Sequence, residues 1–523
     1  MIIRPRDARD STEHRLQTMN RIKKRQLFNL IGGAVILLWM VMIGLLVKKN
    51  YFKNDTKDLE ITSTNISTVK KVQDDWMEIY LKDQKIGYST TRISPFGEDY
   101  LIYEEIVLNF NLMGQATLVR TSTRSIVDQA FLLKSFMLKV DSGVVSFRVS
   151  GKVEGRRMQI EVGEGKRKKT HTISLSGPPV IGSGMSQFFR GRPLEIGESF
   201  KFFLFDPSTM AQKAVVIKVA AKEPLVINRI RYNTFRLETE MWGQNLIFWL
   251  NEKGEILKEK GFMGLTLIRS NAATASRNLE GGEVYDFYEM ASIDVKPKLI
   301  DADKLTSLSL KVEGLKDTPF DAEVLNRGRQ RFRDGILKIT REKSPLKATY
   351  KVPFPDLSGE MKPYLRPEFN IQSDDERIVE KAREIVGNQR DPAAVAEKLM
   401  EWVYNNVEKK PVISVPSAVE VLKTRVGDCN EHAVLLTALL RASKIPAREC
   451  VGLVYANGRF FYHAWTEAYL GRWISMDPTL NQMPTDATHI KLVHGGLERQ
   501  TEIIALIGKL KFKIVDYGYD QTD

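Results

Sequence analysis

Val426-Gly427-Asp428-Cys429-Asn430-Glu431-His432-Ala433-Val434-Leu435-Leu436-Thr437-Ala438-Leu439-Leu440-Arg441-Ala442-Ser443 reads as a Gly-Asp turn running into a long helix. From Ala433 to Ala442 the helix is apolar nearly all round, so it is a buried helix rather than an amphipathic surface one. Cys429, Ala433, Leu436 and Leu440 share one face at i, i+4, i+7 and i+11. The thiol therefore sits at the N-terminus of a buried helix. There the unpaired backbone N–H groups and the positive end of the dipole favour thiolate. The same amides can hold a developing oxyanion. A cysteine that only packs belongs in mid-helix or mid-strand.

A thiolate nucleophile needs a base, and the next elements offer one. Arg448 to Tyr455 reads as a strand, Ala456-Asn457-Gly458-Arg459 as a hairpin turn, and Phe460 to Leu470 as the return strand carrying His463. Gly471-Arg472 makes a further turn, and Trp473 to Asp477 runs back. With a three-residue turn, Asp477 faces Trp465 and becomes a diagonal neighbour of His463 on one sheet face. A two-residue turn places it on the other face, so the pairing depends on register. Upstream, Ser373-Asp374-Asp375-Glu376 has capping-box spacing and predicts a helix to Val386. Asp391-Pro392 caps a second, to Asn406, and Ser417 to Glu420 starts a third, to Lys423. The frame is α+β, with a nucleophile on a helix and a base with its orienter on adjacent strands.

Four motifs in this order carry a resemblance. They are Gly427-Asp428-Cys429-Asn430-Glu431-His432-Ala433, Leu440-Arg441-Ala442-Ser443-Lys444-Ile445-Pro446-Ala447-Arg448, His463-Ala464-Trp465-Thr466-Glu467, and Trp473-Ile474-Ser475-Met476-Asp477-Pro478-Thr479. Together they closely resemble the transglutaminase-like superfamily, over residues 370–495. The resemblance implies a papain-like fold with Cys429 as nucleophile, His463 as general base and acid, and Asp477 orienting the imidazole. The superfamily holds transglutaminases, peptide-cleaving enzymes and glycan-releasing amidases, so it speaks to reaction type more than to substrate.

Other residues compete for attention. His432, one helical turn past Cys429, is a rival base without an obvious carboxylate orienter. Cys450 alternates with strand residues and reads as a packed side chain. Trp402, Tyr404 and Trp465 read as core, with the wall of a substrate groove as the alternative. His489 and His494 have no assignable role. A metal held by Cys429, His463 and Asp477 is unnecessary, because the papain-like arrangement accounts for all three without a fourth ligand. A Gly-rich phosphate loop, EF-hand acid spacing and His-Glu-x-x-His are all missing, so no cofactor is expected.

The whole chain has 523 residues, which at about 150 per domain predicts three domains. Two cysteines cannot build a disulfide framework or a four-thiolate zinc site. Leu27 to Val47 is a run of 21 residues whose one strongly polar member is Asn29. As a helix it would be about 31 Å long, matching a hydrocarbon core of roughly 30 Å. No small-residue cleavage pattern follows, so an uncleaved transmembrane anchor is expected. Residues 1–26 hold eight Lys/Arg against three acids, +5 of the total +13. Positive flanks stay in the cytoplasm, which predicts a cytoplasmic basic tail and an extracytoplasmic, periplasmic-side bulk. The remaining +8 is an ordinary surface, and no nucleic-acid partner is expected. Lys166-Arg167-Lys168-Lys169 reads as a solvated hairpin tip.

Residues 48–72 read as a linker, 73–275 as one large antiparallel β domain, and 285–365 as a small β module with proline-rich linker. After 370–495 come residues 496–523, a C-terminal extension. The predicted fold class is thus multidomain: an N-terminal transmembrane helix, antiparallel β domains, and a C-terminal α+β transglutaminase-like domain. Three functions remain open at this stage: an amide hydrolase or protease (favoured), a protein-crosslinking acyltransferase, and a non-catalytic envelope scaffold with an idle triad. The expected partners are a protein or peptide substrate, the bilayer through residues 27–47, and an envelope protein through the β domains.

Overall fold

Alternating apolar and polar residues build the N-terminal half. Ser199-Phe200-Lys201-Phe202-Phe203-Leu204-Phe205-Asp206 is typical: Phe200, Phe202, Leu204 and Phe205 are buried. The computed structural model describes residues 69–523 apart from breaks at 113, 144–145, 163–168, 278–285, 317, 319, 344–347, 356–358, 413–416, 496–498, 500 and 520–523. The expected basic tail, anchor and nearly all of the linker lie outside the described residues, as does the hairpin tip at 166–168. Among the described residues no helix is long and apolar enough to cross a membrane.

Strands from Gln73 to Ser270 form one 15-stranded sheet. Neighbours are antiparallel except Pro179–Ile181, which runs parallel to Ser199–Asp206. The first strand, Gln73–Leu81, lies mid-sheet between Gln84–Phe96 and Leu265–Ser270. The two edge strands, Lys169–Ser174 and Pro179–Ile181, are joined by residues 175–178 alone. The sheet must therefore roll until its edges approach. Rings from its two arms then meet inside: Phe136 and Phe205 at 5.2 Å between centroids. Phe188 and Phe202 pack edge-on at 5.2 Å. This interior is filled by side chains.

The small module is not closed on itself. Gln330–Arg333, Ile336–Thr340 and Leu305–Glu313 form a sheet whose fourth strand is Lys511–Tyr519, from the C-terminal extension. Leu305, Leu308 and Leu310 are fully buried, so the 305–313 strand needs a partner on both edges, and the chain end supplies the second. Ile293–Asp294, assigned to the same module by sequence, pairs instead with Arg459–Tyr469. One core joins the small sheet to the strands behind the active site, through Leu308, Leu337, Leu453, Phe460 and Leu492.

The C-terminal domain has the predicted order. Helices run Glu376–Val386, Pro392–Asn406, Ala418–Thr424 and Cys429–Ala442. Their caps differ in detail from the reading. Asp375, not Ser373, accepts from Arg377 N and caps the first. Ser417 holds the N-cap position of the third but turns its hydroxyl to Gln372 at 3.4 Å. The sheet beside them runs Ile293–Asp294, Arg459–Tyr469, Ala447–Ala456, Ile490–His494, with Trp473–Met476 also pairing Arg459–Tyr469. Leu435, Leu436, Leu439 and Leu440 pack against Ala447, Ala468, Ile474 and Met476 across the helix–sheet interface.

Candidate active site

The start of the Cys429–Ala442 helix is locked by a reciprocal cap. Asp428 accepts from Asn430 N at 2.8 Å, and Glu431 Oε2 accepts from Asp428 N at 3.0 Å. A Cβ at position 427 would lie 2.2 Å from Glu431 Cβ, so only glycine lets Glu431 fold back. Cys429 therefore occupies the first helical position, 5% exposed, against Ala433, Ala464 and Val451. Thr466, on the His463 strand, donates to Ala433 O at 3.1 Å and ties helix to sheet.

Two turns set the register of the base. Asn457 and Gly458 have φ of 52° and 90°, which close the hairpin and pair Gly452 with His463. The next turn holds residues 470–472, because Tyr469 pairs with Trp473. This three-residue turn puts Asp477 on the His463 face. His463 Nε2 donates to Asp477 Oδ2 at 2.7 Å. Asp477 Oδ1 accepts from Thr479 N and Leu480 N at 2.7 and 3.0 Å. The carboxylate is fully buried.

The electrostatics follow from that burial. Burial alone would lower the His463 imidazole, but Asp477 and Cys429 outweigh it and raise it to about 10. Burial alone would raise the Asp477 carboxyl; His463 and His489 hold it well below the usual carboxylate range. The structure thus brings Cys429, His463 and Asp477 together. It does not bring His432 to the thiol: that ring is buried, its Nδ1 donates to Asp428 O at 2.7 Å, and burial lowers its basicity.

Cys429 and His463 open on a cavity of about 990 Å³. The rolled sheet contributes Gln84, Asn111 and Gly114 to its wall, and the catalytic side contributes Phe461, Tyr462 and Leu480. Trp402, Tyr404 and Trp465 do not line it. Trp402 lies under Arg425 at 4.4 Å, and Trp465 is buried between His463 and His489. Cys450 is a free, fully buried thiol that burial pushes far up.

Two contributors were not foreseen. Tyr288, on the short helix Phe287–Ala291, brings its hydroxyl to 3.8 Å from Cys429 Sγ. Its loop is anchored where Asp286 accepts from Gly114 N at 2.7 Å. The Cys429 sulfur, burial and Asp428 keep that phenol far above its ordinary range, so the hydroxyl keeps its proton. Nothing in the sequence around Tyr288 marks it, because the contact spans 141 positions. The second is His489, whose Nε2 lies 3.0 Å from Asp477 Oδ2. An Asp-x-x-His spacing, Asp486 to His489, was the one available signal.

Ligand-type atoms of His463, Asp477 and His489 lie within 4.8 Å of one another. Both rings contact the same Asp477 oxygen at 2.7 and 3.0 Å, which are proton-bridged separations. A zinc ion sits about 2.0–2.2 Å from each nitrogen and oxygen ligand, so it would have to force these groups apart.

Residues 379–478 match the family described as the transglutaminase-like superfamily. This region is a transglutaminase-like domain. It contains Cys429, His463 and Asp477, and it begins within the Glu376–Val386 helix. Comparison with curated proteins gives no match. Among solved structures, the chain is similar to a candidate cysteine protease from Cytophaga hutchinsonii, at 20% identity over 42% of this chain and 88% of that one, TM-score 0.28. It is similar to the periplasmic domain of TgpA from Pseudomonas aeruginosa, at 18% identity over 35% and 89%, TM-score 0.21. A β-barrel-like protein from Brucella abortus is similar at 12% identity over 39% and 96%, TM-score 0.29.

Proposed function

We propose that this protein is a thiol enzyme that cleaves protein or peptide amide bonds, with Cys429 as nucleophile, His463 as general base and acid, and Asp477 as its orienter. The observation that carries the reading is a helix-terminal thiol and a carboxylate-paired imidazole facing one cavity. The Cys429 thiolate attacks the amide carbonyl carbon. Backbone N–H groups at the helix start take the oxyanion. As the C–N bond breaks, His463 passes its proton to the leaving amine and a thioester remains. His463 then takes a proton from water, whose oxygen attacks the thioester and releases the acid and the thiolate. The cavity wall carries Lys409, Lys410, Asp286 and Glu289, a polar lining compatible with water reaching the thioester.

The basic tail and the apolar run 27–47 support an N-in, single-pass anchor with this domain outside the cytoplasm. The β domains are then free to meet an envelope protein. The test is to treat one portion of the purified full chain with a thiol-directed acylating peptide probe and to incubate a separate, untreated portion with cell-envelope proteins. New peptide termini, lost in Cys429→Ala, are the expected result. Ammonia release with amine incorporation would replace hydrolysis by crosslinking. No adduct at Cys429 with any probe would leave the scaffold reading.

A further inference from the structure

Behind the triad lies a buried charge relay that the mechanism above does not use. His489 is fully buried, and both of its ring nitrogens face carboxylates: Nε2 to Asp477 Oδ2 at 3.0 Å and Nδ1 to Asp486 Oδ1 at 3.2 Å. Neither carboxylate can supply the bridging proton without losing other bonds. Asp477 Oδ1 already accepts from two backbone N–H groups. Asp486 Oδ1 accepts from Thr488 N at 2.7 Å and Thr488 Oγ1 at 2.6 Å. Carboxylates that accept this many bonds are ionised, so both bridging protons belong to the ring.

We propose that His489 is a standing imidazolium and a positioning residue for the Cys429–His463 pair: it holds Asp477 in place and shares its charge with His463. The proposal rests on the catalytic reading above. Its ring lies 5.9 Å from His463 and 5.3 Å edge-on from the buried Trp465. Other charges nearby are already engaged. Arg329 pairs with Glu342 at 3.0 Å, and Lys491 with Glu467 at 2.5 Å. Consistent with the geometry, Asp486 and Asp477 raise His489 to about 9 against the effect of burial. With Asp477 and Asp486 anionic and the Cys429–His463 pair in its thiolate–imidazolium form, the five groups sum to a single negative charge. Without the His489 charge the same burial would hold two.

The sign of the functional effect follows. A cation close to His463 and Cys429 stabilises the thiolate and destabilises the imidazolium. Removing it in His489→Gln should shift the whole pH window of Cys429 alkylation by iodoacetamide upward, by roughly one unit. Asp486→Asn with His489→Gln removes one charge of each sign and should return the window close to wild type. Histidine-selective labelling of the full chain, which has six histidines, should show two buried rings with both nitrogens protonated at pH 7, His463 and His489, of which one is lost in His489→Gln.

A neutral, single-tautomer His489 at pH 7, or an unshifted window in His489→Gln, would overturn the proposal. Should His489→Gln fail to fold, labelling of the wild-type chain still decides: a single doubly protonated buried ring at pH 7, that of His463, would overturn the proposal. The catalytic reading fails differently, by a wild-type window that His463→Asn leaves unchanged.

Discussion

Asp477 accepts a hydrogen bond from His463 at 2.7 Å although fourteen positions separate them, and the link exists because the turn after Tyr469 holds three residues. One residue fewer would send the carboxylate to the opposite sheet face. The same burial that makes this contact strong makes it costly to alter.

Asp477→Asn should lower turnover by about 10²–10⁴, since an amide can offer N–H to the ring and stabilise the wrong tautomer. A thiolate already paired with imidazolium suffers less than a serine would. Asp477 is fully buried and holds two rings, so breaking the pair should also cost about 3–5 kcal/mol. Steady-state rates and thermal melting check the two parts, and wild-type turnover with a wild-type pH profile would remove Asp477 from the mechanism.

Iodoacetamide at pH 7 should label Cys429 well before Cys450. Cys429 lines the cavity, whereas Cys450 is fully buried on a central strand and burial opposes its ionisation. Peptide mapping of the adducts decides this, and equal labelling would argue against Cys429 as the nucleophile.

Tyr288→Phe removes the hydroxyl that reaches the sulfur at 3.8 Å. A protonated phenol donating to a thiolate stabilises it, so the variant should need a higher pH to form thiolate. A loss of about 1 kcal/mol corresponds to roughly fivefold slower alkylation at pH 6. Alkylation rates measured across pH would show this, and identical profiles would make Tyr288 a wall of the cavity and nothing more.

Glu467 is buried between Arg448 and Lys491. Burial alone would raise its carboxyl, but the two cations hold it down at about 2. A depressed folded-state value means that the stability it contributes is present above the ordinary glutamate range and is lost as pH falls from about 5 toward 2. Glu467→Gln should therefore destabilise the protein at pH 7, by about 3–5 kcal/mol, while flattening the acid limb of the stability curve. Chemical denaturation at pH 7 and pH 3 tests both, and an unchanged acid limb would assign acid unfolding to other groups.

Much of the catalytic domain was legible because its signals are local. An all-round apolar run marks a buried helix, Asn457-Gly458 marks a hairpin, and Asp391-Pro392 marks a helix start; each depends on a few adjacent residues. Cys429, His463 and Asp477 could be named for the same reason, together with a resemblance carried by short motifs. The register that joins His463 to Asp477 is not set by local residues, because a two-residue and a three-residue turn read alike at Gly471-Arg472.

What tertiary structure alone decided involves contacts with no local signature. The chain end completes the 305–313 sheet, because a buried strand needs hydrogen bonds on both edges and sequence does not say which distant segment supplies them. Tyr288 reaches the thiol, and Gln84 and Asn111 wall the cavity, from segments far away in sequence. His489 looked like an ordinary histidine until the fold placed a carboxylate at each ring nitrogen. Local periodicity and turn chemistry determine which elements form. Which faces meet, and so which charges are buried side by side, depends on long-range packing that exists only once the chain has folded.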